Sequence, residues 1–134
     1  MTEKAERIQR VNPPGAEEIA RAYKFSQAVV AGDRVDVSGQ VGITSDMQIS
    51  EDITEQARQA FVNLKTVLEA AGSSLENVTH MTMYYTDIAE AQEVDAVFSE
   101  FFPERYPART AVQVVSLIAP QLKLEIQASA VLND

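Results

Sequence analysis

Leu122, Leu124, Ile126, Ala128 and Ala130 alternate with Lys123, Glu125, Gln127 and Ser129 near the end of this chain. Successive side chains of a strand point to opposite faces, so this period predicts a strand with one apolar and one polar face. Val35, Val37, Gly39 and Val41 alternate likewise with Arg34, Asp36, Ser38 and Gln40, and Met81, Met83 and Tyr85 with His80, Thr82, Tyr84 and Thr86. Such strands need cover on one side only.

Two segments provide that cover. Ile53, Ala57, Ala60, Phe61, Leu64, Val67, Leu68 and Ala71 form one helical stripe. Ala91, Val94, Val97, Phe98 and Phe101 form another. Asp52 with Glu55, and Asp87 with Glu90, read as capping boxes, and Gly72 as a left-handed stop after the first helix. Further strands are expected at 7–11, 26–31, 111–117 and 121–131, with Ala31-Gly32-Asp33 as a hairpin turn. Asn12-Pro13-Pro14-Gly15 reads as a loop, and 17–23 as a loop with a helical turn. Two one-striped helices can shield only one face of such a sheet. The expectation is an α+β chain, 1–134 as a single domain, with one mixed β-sheet and two helices on one face. Ser38, Gln40, Thr82, Tyr84, Glu125 and Gln127 are expected on the other face.

Composition narrows the chemistry. The chain has no cysteine, which removes thiolate catalysis and disulfides and makes the cytoplasm the default location. Its start, Met1–Arg7, is charged and lacks the apolar stretch of a secretory signal, and no apolar run approaches the length of a bilayer span. With 20 acidic and 11 basic residues the net charge is −9, which disfavours nucleic-acid and membrane-surface partners. A single histidine, His80, gives no support for a metal site, and none is expected. Ser38 lacks the histidine–carboxylate setting of a serine nucleophile.

The segment Tyr106-Pro107-Ala108-Arg109-Thr110-Ala111-Val112 resembles the RidA/YjgF family of enamine/imine deaminases. Ser26-Gln27-Ala28-Val29, Val37-Ser38-Gly39-Gln40, Gln56–Ala60, Asn63–Gly72, Phe98–Phe102 and Leu124–Ala128 extend the resemblance, in the family's order, over about 8–131. It implies a chorismate-mutase-like fold assembled as a homotrimer, with pockets between subunits. It also implies a cofactor-independent hydrolase acting on C–N bonds. Such an enzyme converts reactive 2-enamine or 2-imino acids such as 2-aminoacrylate to 2-oxo acids and ammonia, protecting other enzymes from those intermediates.

Arg109 matches the family position that holds the substrate carboxylate, and a planar guanidinium suits that task. Without the family, a structural ion pair with an acidic neighbour is its ordinary role. Glu125 matches a glutamate that positions water or assists proton transfer, and Ser38 a pocket hydroxyl. Three further pocket positions depart from the family pattern. Phe25 stands where many members have tyrosine, Asp95 where asparagine is common, and Ala111 where some have cysteine. The alternative function is a non-catalytic trimer that binds small carboxylates or proteins as a sensor or holdase. Ribonuclease activity, attached to some members, is disfavoured by the −9 charge and the lone histidine.

Overall fold

The computed structural model describes residues 7–134; the charged start lies outside the described residues except for Arg7. Six strands form one sheet: β1 (Ile8–Val11), β2 (Ala28–Ala31), β3 (Arg34–Val41), β4 (Val78–Tyr85), β5 (Ala108–Gln113) and β6 (Leu124–Val131). Their spatial order is β1-β2-β3-β6-β4-β5, antiparallel throughout except for the parallel β4–β5 pair. A parallel pair needs a crossover, which here carries a helix. The helices are α1 (Glu17–Tyr23), α2 (Ile53–Ala70) and α3 (Ala91–Phe101). Among the described residues, no helix is long and apolar enough to cross a membrane.

The strand parities hold where they fix the core. Val35, Val37, Met81, Met83, Tyr85, Leu124, Ile126, Ala128 and Ala130 are buried beneath α2 and α3, and one continuous cluster joins them to Ala57, Phe61, Leu64, Leu68, Val94 and Phe98. Phe61 links the helices: its ring stacks on Phe101 at 5.3 Å and meets Phe98 and Phe102 edge-on at 6.0 and 6.3 Å. On the surface, Arg58 of α2 grips Glu100 of α3 through Nε and Nη2, while its Nη1 donates to Glu55.

The helix ends are less symmetrical than their sequences suggest. Asp52 caps α2 by accepting from the Glu55 backbone N–H, but the Glu55 side chain turns to Arg58 rather than completing the box. Asp87 caps a single 3₁₀ turn, accepting from Ala89, and α3 begins only at Ala91. Gly72, at φ +86°, does terminate α2 as expected.

Two strand readings need correction. The segment expected at 111–117 is displaced: β5 runs Ala108–Gln113, so Arg109 lies inside an edge strand, and Val115 is fully exposed in the following loop. The second concerns β3. Val37 pairs with Ala128, but Gln40 pairs with Ile126, so three residues of β3 span two of β6. This bulge reverses the alternation. Gln40 therefore faces the covered side, 6% exposed and bonded to Gln27 Oε1 and the Ser38 carbonyl, and not the open face shared with Glu125.

Candidate functional site

The expected site residues fall into two groups. One lies on β5 and α3. Arg109 is paired in register with Met81, whose side chain is buried under the helices, so Arg109 projects from the same, helix-covered face. Being on the edge strand, it is not itself buried; its side chain is 30% exposed. The guanidinium carbon sits 3.9 Å from the centre of the Phe98 ring, a favourable cation–π arrangement. Nη2 donates to Asp95 Oδ1 at 2.6 Å and approaches Met83 Sδ at 3.3 Å. Asp95 and Phe98 are one helical turn apart on α3, so both reach the same arginine. Ala111, two residues along β5, lies on this face and is exposed.

Tyr85 forms the floor of this group. It is 1% exposed, and its hydroxyl has a weak contact with Met83 Sδ at 4.0 Å. Burial, then the Asp95 carboxylate, push its phenol up to about 12, against the opposing pull of Arg109. Tyr85 therefore stays neutral beside the ion pair.

The second group surrounds the β3 bulge. Glu125 pairs with Val41 on one side and Tyr84 on the other and lies on the open sheet face, half-buried. Its carboxylate rests over Gly39, where any Cβ would collide with it. The bulge glycine thus makes the seat for this carboxylate. Ser38, the preceding residue, donates from Oγ to the Ser26 carbonyl at 2.5 Å, and its N–H donates to Gln27. Those contacts tie the segment after Phe25 to the bulge. Phe25 is itself 38% exposed and follows Lys24, which ends α1 in a left-handed conformation.

Burial raises the Glu125 carboxyl above the usual carboxylate range. Glu125 therefore holds its proton more tightly in the folded chain than in the unfolded one. Its stabilising contribution is complete below the ordinary glutamate value and is lost as pH rises through the higher folded value. Glu125→Gln removes the cost of burying the charge. Thermal melts should show the variant more stable than the parent above that window, with the difference vanishing at acid pH. A parent as stable as the variant at neutral pH would contradict this origin of the shift.

The two groups are not brought together within one chain. Arg109 and Glu125 are separated by two strand spacings and three residues of register, about 14 Å between Cα atoms. They also project from opposite faces of the sheet. A small molecule could touch both only where a second copy of the chain supplies one of them. His80 is exposed and belongs to neither group.

Sequence reading did not assign Phe98, Met83, Tyr85 or Gly39 to the site. Phe98 was detectable in principle, since its spacing from Asp95 places both on one helix face. Gly39 carried a weaker signal, since a lone glycine inside a strand can mark a bulge or a close approach, but the regular alternation around it masked the shift.

Comparison with known proteins places this architecture. The family model described as Endoribonuclease L-PSP matches residues 15–132. The chain is 38% identical over 109 residues to a RutC family protein of Pyrococcus horikoshii, covering 79% of this chain and 85% of that one. It is 34% identical over 109 residues to the human 2-iminobutanoate/2-iminopropanoate deaminase, covering 80% and 79% respectively. The crystal structure of yeast Mmf1 superimposes with a TM-score of 0.83 at 32% identity, covering 94% of this chain and 99% of that one. With its open-faced mixed sheet, its two covering helices and these matches over most of its length, the chain belongs to the RidA/YjgF family.

Proposed function

We propose that the protein hydrolyses reactive 2-imino and 2-enamino acids to 2-oxo acids and ammonia, in the cytoplasm and without a cofactor. The carrying observation is the Arg109 guanidinium, spread over Phe98 at the sheet edge and, among the described residues, tied to protein through one nitrogen. That arrangement suits a carboxylate anchor, because a structural arginine spends its donors more fully. Arg58 is the contrast within this chain: Nε and both terminal nitrogens are engaged by Glu55 and Glu100. The name of the human relative, an imine deaminase, supports the same reading.

In this reading the substrate carboxylate docks on Arg109, and Glu125 comes from a neighbouring copy of the chain in a homotrimer. A 2-enamino acid first tautomerises to the imine, C3 gaining a proton as nitrogen gives one up; water then adds to the imine carbon, and its proton passes to nitrogen by way of Glu125. Collapse of the resulting amino alcohol expels ammonia and leaves the 2-oxo acid. A carboxyl whose value is raised by burial is better matched to proton transfer near neutral pH than an exposed one. Positioning and charge neutralisation carry much of the rate, since the imine carbon is already electrophilic.

The test generates 2-aminoacrylate enzymatically and follows its loss with and without the protein. The expected result is acceleration by the parent chain and a loss of roughly 100-fold or more in Glu125→Gln, the usual scale for removing a proton-transfer group. Equal decay with and without the parent protein sinks the deaminase reading for this substrate. Asp95 on Arg109 is the observation that favours the alternative, a carboxylate-binding trimer without turnover. Saturable 2-oxo acid binding with no imine loss would establish that alternative.

A further inference from the structure

A guanidinium grips a carboxylate with two parallel hydrogen bonds through one of its forks, Nε with Nη2 or Nη1 with Nη2. Both forks use Nη2. In this chain Nη2 of Arg109 is the nitrogen already engaged, by Asp95 Oδ1 at 2.6 Å and by Met83 Sδ at 3.3 Å. Phe98 covers one flat side of the group. An incoming carboxylate therefore meets a carboxylate already in place, and the fork whose N–H Asp95 occupies opens only when Asp95 yields. Asp95 can yield: its side chain is 55% exposed, and its hydrogen bond with Ser99 uses the backbone carbonyl, not the carboxylate.

We propose that Asp95 is a specificity-determining residue that admits carboxylates carrying an adjacent N–H and disfavours those carrying an adjacent carbonyl oxygen. The inference rests on Arg109 being the carboxylate anchor of the proposed deaminase. A 2-imino acid, especially when protonated on nitrogen, brings an N–H donor next to its carboxylate. Asp95, displaced from Nη2, can accept from that donor, so its negative charge keeps a partner. A 2-oxo acid offers only acceptor oxygens there, and the displaced Asp95 would face them unpaired. The Arg109–Asp95 pair thus matches the charge pattern of the substrate better than that of the product. Product release follows from the same mismatch.

The experiment measures binding by calorimetry of two stable probes, pyruvate and alanine, to the parent protein and to Asp95→Asn. Alanine presents N–H donors where pyruvate has a carbonyl oxygen. Asparagine keeps the shape of the side chain but removes the competing charge. Pyruvate should bind the variant about three- to tenfold tighter than the parent, the scale of a partly exposed charge pair. Alanine should gain less or lose affinity, so the alanine-to-pyruvate Kd ratio shifts toward pyruvate. Asp95→Ala should move pyruvate in the same direction, and unchanged circular dichroism checks that both variants fold. Pyruvate binding no tighter on either variant, or a Kd ratio equal to that of the parent, overturns the proposal. Turnover of 2-aminoacrylate by the parent decides the deaminase reading separately. Active parent protein with unmoved Kd ratios sinks only the role of Asp95. Inactive parent protein with the predicted shift sinks only the deaminase.

Discussion

Arg109→Ala is expected to lower kcat/KM for a 2-imino acid by about two to three orders of magnitude, the loss that follows when one partner of a charge-assisted contact is deleted. The side chain has two roles to lose. In the proposed reaction it supplies the positive charge that docks the carboxylate, and its spread over Phe98 holds that charge at the sheet edge. Removing it also leaves Asp95 as an unopposed anion where the proposed anionic substrate would bind. Arg109→Lys separates these contributions: it restores charge but neither the fork nor the flat stacking surface, so rescue should be small. Steady-state rates with enzymatically generated 2-aminoacrylate provide the measurement. Full activity in Arg109→Ala would remove Arg109 from the site. Thermal stability should change little, because the ion pair it makes is partly solvated.

Phe61→Ala should have the largest effect on the fold, destabilising the chain by about 3–5 kcal/mol. Phe61 is fully buried in the middle of α2 and touches three phenylalanines from α3 and the residue that follows it. Truncation would leave a cavity between the two helices and remove the aromatic contacts that fix their separation. The surface link from Arg58 to Glu100 bridges the same helices but is solvent-exposed, so it cannot compensate. Denaturant unfolding measures the loss. A cost below about 1 kcal/mol would mean that the helices close over the space, contrary to the close packing expected of a core. Because Phe98 is shared between this cluster and Arg109, some loss of activity should accompany the loss of stability.

Much of the fold was legible because burial imposes a period on the sequence. The alternation along 122–130 and 81–85 survives in the structure, as do both helical stripes, since a misplaced apolar residue would face water. β5 was harder to locate. It is an edge strand whose residues are all exposed, so little apolar patterning marks its limits, and the apolar residues Val114, Val115 and Leu117 suggested a strand where there is a loop. The β3 bulge escaped for a related reason. Val-Ser-Gly-Gln-Val reads as regular alternation, yet one inserted residue sends Gln40 to the core and makes Gly39 the seat of Glu125.

Asp95 shows the same division at the site. The sequence marks it as an added negative charge near the proposed anchor, but where that charge goes depends on tertiary contacts. Its salt bridge to Arg109 joins residues 14 apart, brought together by the α3 crossover between parallel strands.

By itself, the sequence determined the covered and open faces of the sheet, the two helices that cover it, and the family pattern around Arg109 and Glu125. These follow from local periodicity and residue type, which the chain carries wherever it goes. Only the tertiary structure decided that Arg109 sits on the helix-covered side with Asp95 in its grip, while Glu125 lies on the open side over a bulge. The physical reason is register: which residue lies beside which depends on strand order and on single inserted residues, and hydrophobic alternation alone records neither.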